Sequence, residues 1–154
     1  MRRPAAEGGF TIIELVMVCA VIGILTALAF PTVHYARLRA QEVELRDALR
    51  DLRGGIDEYK RWSDAGLIEV ELGTDGYPSE LAKLAEPLPV IGQIDKKIRF
   101  LRRIPLDPLT GKATWELRSY QDDPDESNWG GEDVFDVYSL APGRGLDGTP
   151  YSTW

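Results

Sequence analysis

Few residues in this chain have the type and placement to do chemistry, and one of them stands where a charge is costly. Glu14 is the lone charged residue in an apolar run reaching from Phe10 to Phe30, GGFTIIE leading into LVMVCAVIGILTALAF. A carboxylate at the centre of a membrane-length segment costs on the order of 3 kcal/mol on insertion scales, so such a residue calls for a functional partner. Other candidates are sparse. His34 is the only histidine and Cys19 the only cysteine, so no intramolecular disulfide and no cysteine-ligated zinc site can form. Cys19 reads as a small apolar packing residue, and His34 as a spacer at the end of the apolar run. Carboxylates gather at DDPDE (122–126), at Asp133 and Asp136, and singly at Asp147. The first cluster lacks the glycine and the closing glutamate of an EF-hand, which makes it a solvated turn. The Asp133 and Asp136 pair is of a kind that any acidic domain offers. No G-x-S-x-G, H-E-x-x-H or phosphate-cradling glycine loop occurs, and the chain is not expected to be an enzyme.

The segment that carries Glu14 is long enough to span a bilayer: at about 1.5 Å of rise per residue it measures roughly 31 Å, against a hydrocarbon core of about 30 Å. A secretory signal peptide is the ordinary alternative, because Arg2 and Arg3 form a basic leader. The length of the run, the charge inside it and the lack of an A-x-A-like exit before Pro31 argue against that reading. Basic residues before the span place the N-terminus in the cytoplasm and the rest of the chain outside, with Arg37 and Arg39 a counterweight. The formal charge of -7 and the lack of a basic stripe with interleaved aromatics exclude nucleic acid as a partner.

Gly9, Phe10, Thr11 and Glu14, after a short basic leader and at the head of an apolar helix, resemble the class III signal of type IV pilins and type II secretion pseudopilins. The resemblance implies that a prepilin peptidase cuts after Gly9 and that the new Phe10 amine is N-methylated. The chain would then comprise a leader (1–9), a transmembrane and filament-core helix (10–31), and an amphipathic half-helix with a periplasmic globular domain (32–154). After cleavage, Glu14 lies one helical turn from a cationic amine. When subunits stack with an axial stagger, Glu14 of one meets the Phe10 amine of its neighbour, and two desolvated charges offset each other. Glu14 then sets the assembly register. The competing reading is a carboxylate that is protonated, or that snorkels to the interface.

These residues need elements to position them. From Thr32 to about Trp62 the pattern turns amphipathic, with Leu38, Leu45, Leu49, Leu52, Ile56 and Tyr59 on one helical stripe. Glu42 with Arg46, and Asp57 with Arg61, form i,i+4 pairs on the other faces. Pro31 predicts a kink or local melting near Ala27, and Gly54 and Gly55 weaken the helix further on. A coiled coil is the rival reading of the stripe. A short second helix is expected over SELAKLAE (79–86), ended by Pro87 and Pro89. An irregular loop follows over 99–112, then strands over 114–120 and 134–140 and a third near Tyr151. The tryptophans read as core and edge packing, with a sugar-binding face as the alternative. The expected fold is α+β and type IV pilin-like: a long N-terminal helix, hydrophobic then amphipathic, packed against a small antiparallel sheet with a short second helix.

GYPSEL, IPLDPLTGK, Trp115, Trp129, FDVYSL and LDGTPYSTW occur in an order similar to the major pseudopilin of type II secretion, the general secretion pathway protein G group. This finer resemblance implies a subunit of a periplasmic pseudopilus that promotes protein export across the outer membrane. Its partners would be further copies of itself in a helical filament, minor pseudopilins, the prepilin peptidase and methyltransferase, an inner-membrane assembly platform, an outer-membrane secretin and the lipid bilayer. The implied location is the inner membrane, single-pass, and then the periplasm. Two alternatives stand: a type IV pilin of a surface filament, and a membrane-anchored periplasmic enzyme or binding domain. Proteins of the group commonly bind calcium in an acidic loop after the strand corresponding to FDVYSL. Here that loop has Asp147 as its only carboxylate, with Arg144 nearby. Calcium at Asp147 competes with an Asp-Gly turn braced by hydrogen bonds alone.

Overall fold

The computed structural model describes residues 9–123 and 129–154, without the side chains of 28–32. The leader up to residue 8, the Pro31 side chain and the acidic positions Asp125 and Glu126 thus lie outside the described residues. The chain divides into two compact units, 1–39 and 40–154.

The first unit is helix alone. Helix α1 spans Ile12–Asp64 and opens at Thr11, whose hydroxyl accepts the Glu14 N–H at 3.3 Å. The run T-I-I-E has the spacing of a capping box, with Thr11 as N-cap and Glu14 three positions into the helix. The Thr26 hydroxyl donates back to the Ile22 carbonyl at 2.8 Å, a bond that satisfies a polar group on an otherwise apolar surface. Large apolar side chains are exposed along this stretch, among them Phe10 at 82 % and Ile12 at 83 %. Local melting near Ala27 does not occur, because α1 continues through Pro31 without interruption. Proline removes one donor there, and the turns on either side carry the helix across. Among the described residues no helix is long and apolar enough to cross a membrane; the expected span includes 28–32, whose side chains are not described.

In the second unit the amphipathic stripe is the floor of a closed core. Leu45, Leu49, Leu52, Ile56 and Tyr59 are buried together with Ile68, Leu84, Trp115, Val134, Val137 and Tyr151. The stripe is therefore covered by its own head, and the coiled-coil reading falls. Gly55 lets the 99–112 loop approach α1: a Cβ there would stand 3.0 to 3.3 Å from three Leu101 side-chain carbons. The helix stops at Gly66, whose φ of 66° is left-handed. Gly66 N–H donates to Ser63 and Leu67 N–H to Trp62, the paired bonds of a Schellman cap.

The rest is short pieces. The second helix expected over 79–86 is only a 3₁₀ turn, Leu81–Leu84, because too few residues lie between Pro78 and Pro87 for α-helical bonding to propagate. Strand β1 (Leu88–Pro89) pairs antiparallel with β2 (Lys97–Ile98), a hairpin the sequence reading missed. Strand β3 (Glu116–Arg118) pairs antiparallel with β4 (Asp136–Tyr138), Leu117 facing Val137, at the centres of the two predicted strands. The third strand near Tyr151 does not form. Residues Tyr151–Thr153 are a 3₁₀ turn, preceded by an isolated antiparallel bridge between Arg144 and Pro150. The architecture is α+β: a long N-terminal helix whose head portion packs under two small antiparallel hairpins, consistent with a pilin-like fold.

Candidate assembly segment and C-terminal loop

Two places gather the residues singled out by sequence. The first is the start of α1. Gly9 precedes the helix and is exposed, as are Phe10 and Glu14. Among the described residues nothing lies within 4 Å of a Cβ placed on Gly9, so no close approach among them requires glycine there. Glu14 carries two tasks at once, since its backbone N–H closes the cap on Thr11 while its carboxylate stays exposed. The T-x-x-E spacing is the sequence signal of this cap.

The second place is the loop from Arg144 to Trp154, held on one face of α1. Asp147 Oδ1 accepts the Thr149 N–H at 2.9 Å and the Thr149 hydroxyl at 2.7 Å. Its Oδ2 accepts from Arg46 Nη2 at 3.2 Å. The Thr149 bonds first, and Arg46 with them, hold the Asp147 carboxyl below the usual carboxylate range. Gly148, at a φ of 85°, makes the Asp-Gly turn possible. The Arg46 guanidinium lies 3.9 Å over the Trp154 ring, a cation–π contact. Two turns along, Arg53 donates to Asp136 at 2.6 Å, to the Val137 carbonyl at 3.2 Å and to the Trp154 oxygen at 2.5 Å.

Glu42 completes the face. It is buried, and its Oε1 accepts the Leu146 N–H at 2.8 Å and the Tyr151 hydroxyl at 3.2 Å. Burial, and then the bond to Glu42, push the Tyr151 phenol up. The predicted Glu42–Arg46 surface pair is therefore not made: each residue turns to the loop instead. Nor is Asp57–Arg61, since Arg61 pairs with Glu58. Sequence gave no signal for Glu42 or Arg53, whose partners lie far along the chain.

The remaining candidates are dispersed. Asp136 is committed to Arg53, while Asp133 is buried and accepts the Tyr120 N–H at 2.9 Å. Burial pushes the Asp133 carboxyl up, and Asp75, Glu132 and Asp122 add to the effect. Asp122 braces its own turn through the N–H groups of Ser119 and Gly130. His34 is exposed, its ring 6.2 Å from that of Tyr35. All four tryptophan N–H groups are bonded inside the head, to Glu58, Pro105, Asp133 and Thr149, as packing residues require.

The chain is similar to the fimbrial protein EcpC of Eikenella corrodens, at 41 % identity over 61 residues. That is 40 % of this chain, and the chain spans 39 % of the length of that curated relative. No family model matches, and no solved structure matches. The likeness is to a filament protein, and the architecture above is consistent with it.

The loop's donor set does not suit calcium. The dication takes about six to eight oxygens, several of them usually carboxylate. Asp147 is the loop's single carboxylate, already bonded on both oxygens, and a guanidinium stands against it. Among the described residues no group of three or more His, Cys, Asp or Glu could hold a metal ion.

Proposed function

We propose that this chain is a structural subunit of a type IV-like filament, released from its leader by cleavage after Gly9 and assembled through the helix that follows. One observation carries the reading. The head closes a core of its own, whereas Phe10 and the apolar residues after it leave their side chains uncovered. Such a surface is stable only in a bilayer or against other helices. Cleavage supplies a cationic Phe10 amine, and Glu14 of a staggered neighbour is its counterion. The precursor is held in the inner membrane with the head in the periplasm, and Pro31 ends the apolar half of the helix. Among the described residues a side chain at Gly9 would meet nothing, and cleavage by the peptidase accounts for a glycine there.

Mass spectrometry of the protein from its own cells tests this. A mature chain beginning at N-methylated Phe10 supports the reading, and an intact Met1 ends it.

Two filament roles remain, each favoured by a different observation. The likeness to a fimbrial protein supports a pilin of a surface filament. The head supports the type II secretion pseudopilin: its C-terminal loop is closed by Glu42, Arg46 and Arg53 in a chain whose single cysteine, Cys19, lies outside it. In that role the partners are minor pseudopilins, an assembly platform and a secretin. Electron microscopy of cells divides the two, because long surface filaments belong to the first and short periplasmic fibres to the second. Neither role includes catalysis, and both leave the loop to side chains. Calcium titration of the head checks the latter, since a melting temperature that rises with calcium restores Asp147 as a ligand.

A further inference from the structure

Within the head, a cleft of about 610 Å³ lies between α1 and the C-terminal loop, a size in the range of small-molecule sites. Its α1 wall carries Arg46, Arg50, Arg53 and Asp57, so one helical stripe presents three guanidinium groups and then a carboxylate. Leu49 and the Trp154 ring supply apolar surface. Gly54 leaves the floor open, since nothing among the described residues lies within 4 Å of a Cβ placed on it.

The charges along this wall are unequally committed. Arg46 donates to Asp147, and Arg50 donates to Asp47, one turn back on α1. Each keeps further N–H groups of the five that a guanidinium carries. Asp57 is left over. Of the cations one turn to either side of it, Arg53 turns to Asp136 and Arg61 to Glu58, and Asp57 is in no hydrogen bond or ion pair among the described residues. Neither sign predominates in the cleft as a whole. Three guanidinium groups stand with Asp57 and Asp147 in the lining, and Asp47 and Asp136 hold two of them from outside it. A ligand of one charge therefore gains little, whereas a dipolar one finds donors at the Arg50 end and an acceptor at Asp57. The separation sets its length. Arg50 and Asp57 are two turns apart, about 10.5 Å at helical rise, and three extended residues reach roughly 10 to 11 Å.

We propose that the cleft binds a short apolar peptide of about three residues through its two ends, the carboxylate at Arg50 and Arg46 and the ammonium at Asp57, with its side chains against Leu49 and the Trp154 ring. Capture of peptide termini by fixed polar groups is a recurring mode of recognition. The site is complete within one head and does not depend on fibre assembly.

The test is titration of the full chain, in detergent micelles, with the tripeptide Ala-Leu-Ala, followed by NMR at the Trp154 indole N–H. Saturable binding is expected, and the N-acetylated and C-amidated forms, each lacking one charge, should bind at least about tenfold more weakly. Asp57→Asn should remove the penalty of acetylation while keeping that of amidation, and Arg50→Gln should reduce the penalty of amidation alone. A purely structural role for either residue would not produce that crossed pattern. Gly54→Leu, which fills the floor, should abolish binding without lowering the melting temperature, because leucine favours helix over glycine. Equal binding of all three peptides overturns the proposal, as does no saturation by any of them at about 10 mM. Wild-type behaviour of the Asp57→Asn and Arg50→Gln variants overturns it too, and so does unchanged binding by Gly54→Leu.

Discussion

The helix from Ile12 to Arg39 and the head from Ala40 onward solve the same problem in opposite ways. Both carry a large apolar surface. The head covers its own, laying hairpins and loops over Leu45, Leu52 and Ile56 until they are almost wholly buried. In the N-terminal helix Ile12, Leu15 and Val16 remain exposed, with none of the unit's described residues laid over them. Its backbone is complete, capped at Thr11, and only its side chains lack a solvent to suit them. Secondary structure and burial are thus separable: a helix can be fully bonded within itself and still depend on neighbours for its stability.

The sharpest break of this contrast is Glu14→Val. Because Glu14 belongs to the helix unit and not to the core of the head, the variant should leave the melting of the head unchanged while abolishing fibres in a strain that has no other copy. Wild-type fibres from that variant would remove Glu14 as a register. The converse is Leu52→Ala, which opens a cavity in the self-sufficient half. Chemical denaturation should show a loss of about 2 to 5 kcal/mol, with cleavage after Gly9 unaffected. Arg53→Ala comes next. It strips hydrogen bonds from Asp136, Val137 and Trp154 at a half-exposed site, for a loss of ~1 to 2 kcal/mol by the same assay.

The smallest effects are read in pH. Burial raises the Asp133 carboxyl in the folded head, so ionising it opposes folding: stability is greatest below the unfolded pKa and declines as pH rises through the folded one. Asp133→Asn should flatten that decline in melting scans across the acid range. Asp147 is shifted the other way. Its contribution is present above the unfolded pKa and is lost as pH falls through the folded value. Asp147→Asn should remove that acid-side loss, and a scan identical to wild type would show that the loop does not feel the charge.

What sequence revealed follows from how local each signal is. The buried stripe was legible because its period repeats over many turns of one element, and the Glu14 motif because a charge in an apolar run has no local explanation. The β1–β2 hairpin was not, since Leu88–Pro89 and Lys97–Ile98 are too short to show alternation and Pro89 argues against a strand. The 79–86 segment was over-read: its Leu and Ala spacing suits a helix, but the flanking prolines leave room only for a tight turn. Glu42 and Arg46 looked like one surface ion pair because only their separation on the helix was visible. Their actual partners, Leu146, Tyr151 and Asp147, lie over a hundred residues away, and no local pattern reports such a contact.

That distance bears on how the head acquires its structure. Loop-closure entropy must be met before long-range contacts return anything, and the bonds from Glu42 and Arg53 to the 144–154 segment are among the longest closures in the molecule. Glu42 can be desolvated without penalty only once Leu146 and Tyr151 have reached it. Until then the floor of the head holds a carboxylate that prefers water, and the core stays open at that end. The 144–154 segment therefore acts as a latch, and a head from which it is detached leaves Glu42 without the partners that its burial requires.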